Sequence, residues 1–483
     1  MRQLSGFDAA FVSLENPRTP NHVALYFLYD PSTAPRGTIS GDEVVENLAR
    51  RVPLVPLLRL KLARVPFDLD APYWIEDGDF DFDYHVRRIR LPEPGSWRQY
   101  TTLLGDLHSQ PLDLTRPLWE CYVIEGLNDV EDLPSRSFAL LFKIHHAAID
   151  GKTGVELMNV LHDRSPDAPP PPPDTAWDPP PPPSSAELLR RTAVTFVRSP
   201  ARVARLVGRA APGLARARSQ VRAGAVQRPT RGAPRTRFNR AVSAGRVTDA
   251  CRLRLGDLKR IKAAVPGATI NDVVLAVFAG ALREYLASKG ELPSEPLVAI
   301  MPISVRREDE RAAIGNRLAT TTVTLATDVE DPFDRLRTIH DSAVNAKAYA
   351  AAVDARALSE LSDLMPGALL GLAYRAVGRL AHTGFFDHVR PLANTTISNT
   401  PGPTEPLYFD GARLVSYAGM GPIYDGGGLI LGPTSYCDEF TFTFTSCPEM
   451  MPDREWFVAC IRTSFDDLLA AATSRKAAPT ASA

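Results

Sequence analysis

Cysteine is scarce. The 483-residue chain has five (121, 251, 437, 447 and 460), an odd set with no C-x-x-C spacing. That excludes a disulfide framework and a cysteine zinc site, and it fits a reducing compartment. Net charge is lacking too: 55 Lys and Arg stand against 56 Asp and Glu, giving −1. The lack of a global basic excess argues against a dedicated nucleic-acid binder. No run of 18 apolar residues occurs, so no transmembrane helix is expected. The opening MRQLSGFDAAFVSLENPRTP lacks the charged, apolar and small-residue order of a secretory signal. The expectation is a cytoplasmic protein, free to bind a membrane or lipid-body surface from outside. Two catalytic signatures are also absent. There is no G-x-S-x-G elbow, and Gly151-Lys152-Thr153 imitates the end of a P-loop only until position 146, where the first glycine is replaced by His146.

Proline and arginine are present in excess, but locally. Of 43 prolines, two runs of five lie at 169–173 and 179–183. Such runs form stiff extended segments rather than helix or sheet, and read as a linker. Between Arg190 and Arg240 there are 14 arginines, with no Asp, Glu or Lys between Leu188 and Thr248. The rest of the chain is therefore net acidic. Leu188, Leu189, Val194, Val197, Val203, Leu206 and Val207 among these arginines suggest an amphipathic helix broken at Pro200 and Pro212. Two readings stay open: a segment lying on anionic lipid, or a solvated connector on the acidic body. The length and these breaks suggest a lobe over 1–163, a linker over 164–240, a second lobe over 241–472 and a tail over 473–483.

Strands are expected at Trp119–Ile124 and Ser137–Ile144, both short and rich in aromatic and branched residues. The second runs into His145-His146-Ala-Ala-Ile-Asp150-Gly151. A helix should follow, with Thr153 and Glu156 as a capping box. A buried helix is expected over 269–288, opened by Thr269 and Asp272. Phe440, Phe442 and Phe444 alternate with threonine like a strand with one buried face. Helices and strands alternate throughout, so the class is α/β or α+β with mixed sheets. Adjacent histidines on an extended segment face opposite ways and cannot share one metal, and no other spacing marks a metal site. One of the pair can face a cavity while the other faces the core. A neutral imidazole so held is a competent general base near pH 7.

His145-His146-x-x-x-Asp150-Gly151 resembles the HHxxxDG signature of the coenzyme A-dependent acyltransferase superfamily. LSGFDAAFVSLEN, Pro117-Leu118-Trp119, Asn271-Asp272, Pro302-Ile-Ser304-Val-Arg306 with Gly315-Asn316, Ser398-Asn399-Thr400-Pro401-Gly402-Pro403 and GPIYDGGGLILGPTSYCDEF narrow this. Together they are similar to the bacterial wax ester synthase/diacylglycerol acyltransferase family, in order along nearly the whole chain. Pro20-Asn21-His22-Val23 departs from that family's usual P-M-H-V, and Ile430 from a usual polar residue.

The resemblance implies two chloramphenicol-acetyltransferase-like lobes with a tunnel at their interface. It implies transfer of a long acyl chain from acyl-coenzyme A, as co-substrate and without a cofactor, to diacylglycerol or a fatty alcohol. His146 would be the base, with Gly151 letting the backbone turn beside it. His145 would be structural. Asp150 would brace the loop through Arg59 or, second, Arg306. Asn271 would line the channel, donate to the oxyanion or serve structure alone; Ser304, Ser398 and Asn399 are further donor candidates, and Asp272 is a structural helix-start carboxylate. Two other readings compete: an acyltransferase using carrier-protein thioesters or small polar alcohols, and a non-catalytic lipid-binding homologue.

Overall fold

The computed structural model describes residues 1–149, 151–172, 179–227, 232–304, 318–353 and 389–477. The described chain builds two large mixed sheets and a small three-stranded antiparallel one, with helices, an α/β architecture. The first sheet has six strands. At its centre the strand His22–Asp30 pairs antiparallel with Ser137–His145, which pairs in turn with Trp119–Leu127. Every residue of Ser137–His145 is buried, as its branched and aromatic composition requires of a strand covered on both faces. The register sets His145 opposite His22.

The other side of His22–Asp30 is occupied by Ala412–Met420, a strand from late in the chain. The lobes therefore share a strand across the linear division at 240. The second sheet has eight described strands around Glu439–Ser446, which pairs with Leu429–Leu431, Thr434–Tyr436 and Val247–Arg254. Here the expectation of one buried face is corrected. Thr441, Thr443 and Thr445 are as buried as the phenylalanines between them, because the threonine side meets the first sheet. Thr443 Oγ1 donates between the Gly419 and Gly432 carbonyls at 2.9 and 2.7 Å.

The buried helix runs Ile270–Ser288. Thr269 caps it, its hydroxyl accepting from the Asp272 N–H while Asp272 returns to the Thr269 N–H at 2.8 Å. Thirteen of its residues are buried, so it is apolar nearly all round because it is covered nearly all round. The helix after the histidines runs Gly151–Leu161, which puts Thr153 inside it rather than at its cap. The arginine segment is likewise corrected: it is one helix, Ser185–Arg222, uninterrupted at Pro200 and Pro212. A single interior proline costs about 3 kcal/mol, and the helix is anchored at both ends. Leu188 packs with Val65 and Tyr73 of the first lobe, and Ala217 with Ala352 and Val353 of the second. At 38 residues it spans roughly 57 Å, a strut between lobes. No helix among the described residues is long and apolar enough to cross a membrane.

Candidate active site

Ser137–His145 ends in the turn that carries the paired histidines, and the two rings part as a strand end dictates. His145 is sealed, at 0% exposure. Its Nδ1 accepts the Ala147 N–H at 3.1 Å, so Nε2 carries the proton and donates to Glu15 Oε2 at 2.8 Å. Both ring nitrogens are committed, which leaves His145 a structural role. Glu15 is itself buried, and its other oxygen, Oε1, has no hydrogen-bond partner. A half-satisfied buried carboxylate is costly, so this position is not explained by general stability.

His146 faces the other way and stays partly accessible. Its ring stacks on Phe11, centroids 4.1 Å apart and planes within 16°. Burial lowers its pKa to about 4, the neighbouring His145 adding to the shift against a backbone hydrogen bond. The imidazole is therefore neutral at physiological pH and holds a free base form. The ring is thus largely desolvated yet not closed off.

One helix holds this turn. Gly6–Leu14 is capped by Ser5, which accepts from the Asp8 N–H at 3.0 Å. It supplies Phe11 to His146 and, at its end, Glu15 to His145. Asn21 closes the arrangement. Its amide donates to the Phe11 carbonyl at 2.7 Å, and its own carbonyl accepts the His146 N–H at 2.8 Å. Sequence reasoning did not single out Glu15, Phe11 or Asn21 as site residues. Phe11 and Glu15 lie inside the quoted LSGFDAAFVSLEN, but nothing local distinguishes that glutamate from any other at a helix end.

The face below the pair is polar and buried. Lys143, fully buried, donates to the Gln110 carbonyl at 2.8 Å and to Glu120 at 3.1 Å, and burial pulls its pKa down. His22 donates to the His108 carbonyl at 3.0 Å, and His108 to the Gly421 carbonyl at 3.2 Å. Burial holds the first well below its usual value and the second at about 3. The second lobe meets this region through Gly421 and through Arg18, which forks onto Asp425 at 3.0 and 3.4 Å.

The second-lobe candidates form their own group. Asn399 Nδ2 lies 3.5 Å from Asn271 Oδ1, and Asn271 Nδ2 donates to Met301 Sδ at 3.3 Å. One bond is long and the other uses a weak acceptor, so both amides are cheap to redirect. Ser398 is half-buried, its N–H committed to the Leu431 carbonyl at 2.9 Å. Asp272 is occupied by structure: besides its capping bond it accepts from His340 Nδ1 at 2.9 Å. Gly151 begins the following helix. Arg59 is half-buried at the end of the Pro56–Arg59 turn, its carbonyl accepting from Asp77 at 2.9 Å. Asp150 and Arg306 lie outside the described residues, as does the bracing proposed between them or with Arg59. Ser304 ends the strand Val298–Ser304, and its side chain is outside the description. Among the described residues no cluster of His, Cys, Asp and Glu could hold a metal.

The two sheets, the shared strand and a histidine turn at a strand end define the class: a two-lobe acyltransferase fold. A condensation domain of the calcium-dependent antibiotic synthetase shares this fold, with a TM-score of 0.56 at 13% identity over 99% of this chain and 97% of that one. The family described as wax ester synthase/diacylglycerol acyltransferase catalytic domain matches residues 4–274, and its C-terminal domain matches 314–469. A Mycobacterium tuberculosis (strain CDC 1551) protein named as a diacylglycerol O-acyltransferase is 34% identical over 459 residues, 95% of this chain and 88% of that protein. The wax ester synthase/diacylglycerol acyltransferase of Marinobacter aquaeolei VT8 superposes with a TM-score of 0.68 at 26% identity, covering 98% of this chain and 100% of the other. The chain belongs to the wax ester synthase/diacylglycerol acyltransferase family and is an acyl-coenzyme A-dependent acyltransferase.

Proposed function

We propose that the enzyme moves a long-chain acyl group from acyl-coenzyme A to the hydroxyl of diacylglycerol, of a fatty alcohol, or of both. The observation that carries this is His146: a neutral, partly accessible imidazole pressed on Phe11 beside a sealed, immobilised His145. His146 takes the hydroxyl proton as the alcohol oxygen attacks the thioester carbonyl. The tetrahedral adduct then expels the coenzyme A thiolate, and His146 returns the proton to that sulfur. A thioester is already activated, so no covalent enzyme intermediate and no resident cofactor are required. Asn271 and Asn399 are the proposed donors to the oxyanion, since their present bonds are weak. An oily acceptor resides in a membrane or lipid body, and the arginine-rich helix is the proposed contact with that surface.

Radiolabelled palmitoyl-coenzyme A offered diacylglycerol, hexadecanol and short alcohols tests the reading. Triacylglycerol or wax ester supports it. Short esters alone would favour a different acceptor class, and no product would favour a non-catalytic lipid binder.

A further inference from the structure

The helix Ser185–Arg222 has two faces in its first three turns, and only one is used. Leu188, Arg191, Thr192 and Thr195 form the inward stripe, Leu188 and Thr192 being buried and the other two half-buried. Leu189, Ala193, Phe196 and Val197 form a second stripe at i, i+4, i+7 and i+8, the spacing of an apolar helix face. That stripe is turned to solvent: Phe196 is 59% and Val197 82% exposed. A face patterned like a core but left uncovered calls for a partner.

A second uncovered apolar group lies on a turn against the same helix. The turn Pro66–Asp68 packs against this helix. It carries Phe67, which is 91% exposed, and is followed by the exposed Leu69. Phe67 has φ 59° and ψ 17°, a left-handed conformation that disfavours a bulky aromatic side chain. Asp68 follows at φ 51° and is tied to Arg64 at 3.6 Å. The turn thus holds a large aromatic ring outward, in a backbone state better suited to asparagine, with almost no burial in return. Strain of this kind, kept without a packing reason, points to function.

Charge names the partner. After Glu187 the helix carries no acidic residue, and Arg190, Arg216, Arg218 and Arg222 along it are exposed. We infer that Phe67, Leu69 and the Leu189–Ala193–Phe196–Val197 stripe insert together into an anionic lipid surface, with Arg190, Arg218 and Arg222, which lie toward the same side of the helix, engaging its headgroups. This rests on the lipid-acceptor reading above and identifies the surface that serves it. Apolar side chains set into the headgroup boundary beside basic residues are how an interfacial helix binds.

The test uses the full chain and two variants, Phe67→Asn and the double variant Phe196→Ser/Val197→Ser. Flotation with phosphatidylcholine vesicles containing one quarter phosphatidylglycerol reads binding without needing catalysis. Each variant should bind about tenfold or more weakly than the parent, the scale of losing one buried aromatic side chain. Phe67→Asn should also melt at or above the parent temperature, because asparagine suits the left-handed turn; a merely structural Phe67 would lose stability instead. Transfer from palmitoyl-coenzyme A to hexanol, without vesicles, should be unchanged. Parent-like flotation of Phe67→Asn overturns the docking surface while leaving the acyltransferase reading intact. A parent that floats but esterifies no alcohol defeats that reading and leaves the surface standing. Equal flotation on pure phosphatidylcholine overturns the role of the arginines. Dimerisation of the parent that Phe67→Asn abolishes would assign the face to a second copy and overturn the lipid partner.

Discussion

Glu15 bonds to His145, and removing its carboxylate should slow catalysis. In Glu15→Ala the His145 Nε2–H, now donated at 2.8 Å, is left without its acceptor in a site where His145 is fully buried. An unsatisfied buried donor costs about 1–3 kcal/mol. The ring escapes that cost only by turning, which breaks the Nδ1 acceptance of the Ala147 N–H and loosens the turn holding His146. If most of this energy appears as misplacement of His146, kcat falls about 10- to 100-fold, at 1.36 kcal/mol per factor of ten. KM should change little, because Glu15 orders the base and does not bind substrate. Glu15→Gln keeps an acceptor oxygen and should recover most of the loss. The assay is steady-state transfer from palmitoyl-coenzyme A to a soluble alcohol, beside a melting curve for each variant. Wild-type kcat in Glu15→Ala would refute the argument. So would Glu15→Gln failing as badly as Glu15→Ala, since charge and not an acceptor would then be what matters.

Replacing His146 by Ala should cut turnover by about 10²–10⁴-fold with the melting temperature little changed, read by product formation and calorimetry. The pH dependence follows from the lowered pKa of the same ring, about 4: kcat should stay level from pH 8 to 6 and fall only as the ring protonates below about pH 5. Stability has its own acid dependence. His108, held at about 3, and His162, held at about 4, are buried and neutral, and their folded pKa values lie below the unfolded 6.5. The unfolded chain binds more protons through that window, so stability is complete above pH 6.5 and is lost as pH falls toward 3. Each contributes on the order of 3 kcal/mol, and denaturant midpoints at pH 7 and 4.5 should differ accordingly. Asp272→Ala should destabilise by about 2–4 kcal/mol, since it removes a helix cap and leaves His340 without its acceptor; the activity of the protein that remains folded should be near normal.

The parts legible in the sequence were those with local chemistry. Thr269 and Asp272 announce a helix start because a capping box is written within four residues. The strand into His145 shows itself because nine consecutive residues suit a pleated, buried environment. Non-local features were hidden. Thr441, Thr443 and Thr445 look like a solvent face, and only the arrival of Ala412–Met420 beside the first sheet covers them. The prolines at 200 and 212 look like helix breaks, and tethering of the helix at Leu188 and Ala217 overrides that local preference. At the site, HHxxxDG marked the two histidines but not Glu15, which sits 130 positions earlier and meets His145 only through the fold.

That distance explains how the site is built. A general base must keep its ring fixed while leaving one side open, and these demands conflict if a single element supplies both. The chain divides them. The strand aims His145 inward and His146 outward by simple alternation. The Gly6–Leu14 helix fixes both from one side, Glu15 through a hydrogen bond and Phe11 through stacking, while Asn21 ties that helix to the backbone of His146. Arg18, just beyond the same helix, reaches the second lobe at Asp425. The helix that sets the His146 ring is therefore also tied to the second lobe, which carries Asn271 and Asn399, the proposed oxyanion donors. Loss of the Arg18–Asp425 link should accordingly lower kcat without any change at His146 itself, and the double variant Arg18→Ala/Asp425→Ala should be no worse than either single one. Additive losses in that cycle would show that the two groups act separately and that the lobes are not joined through this helix.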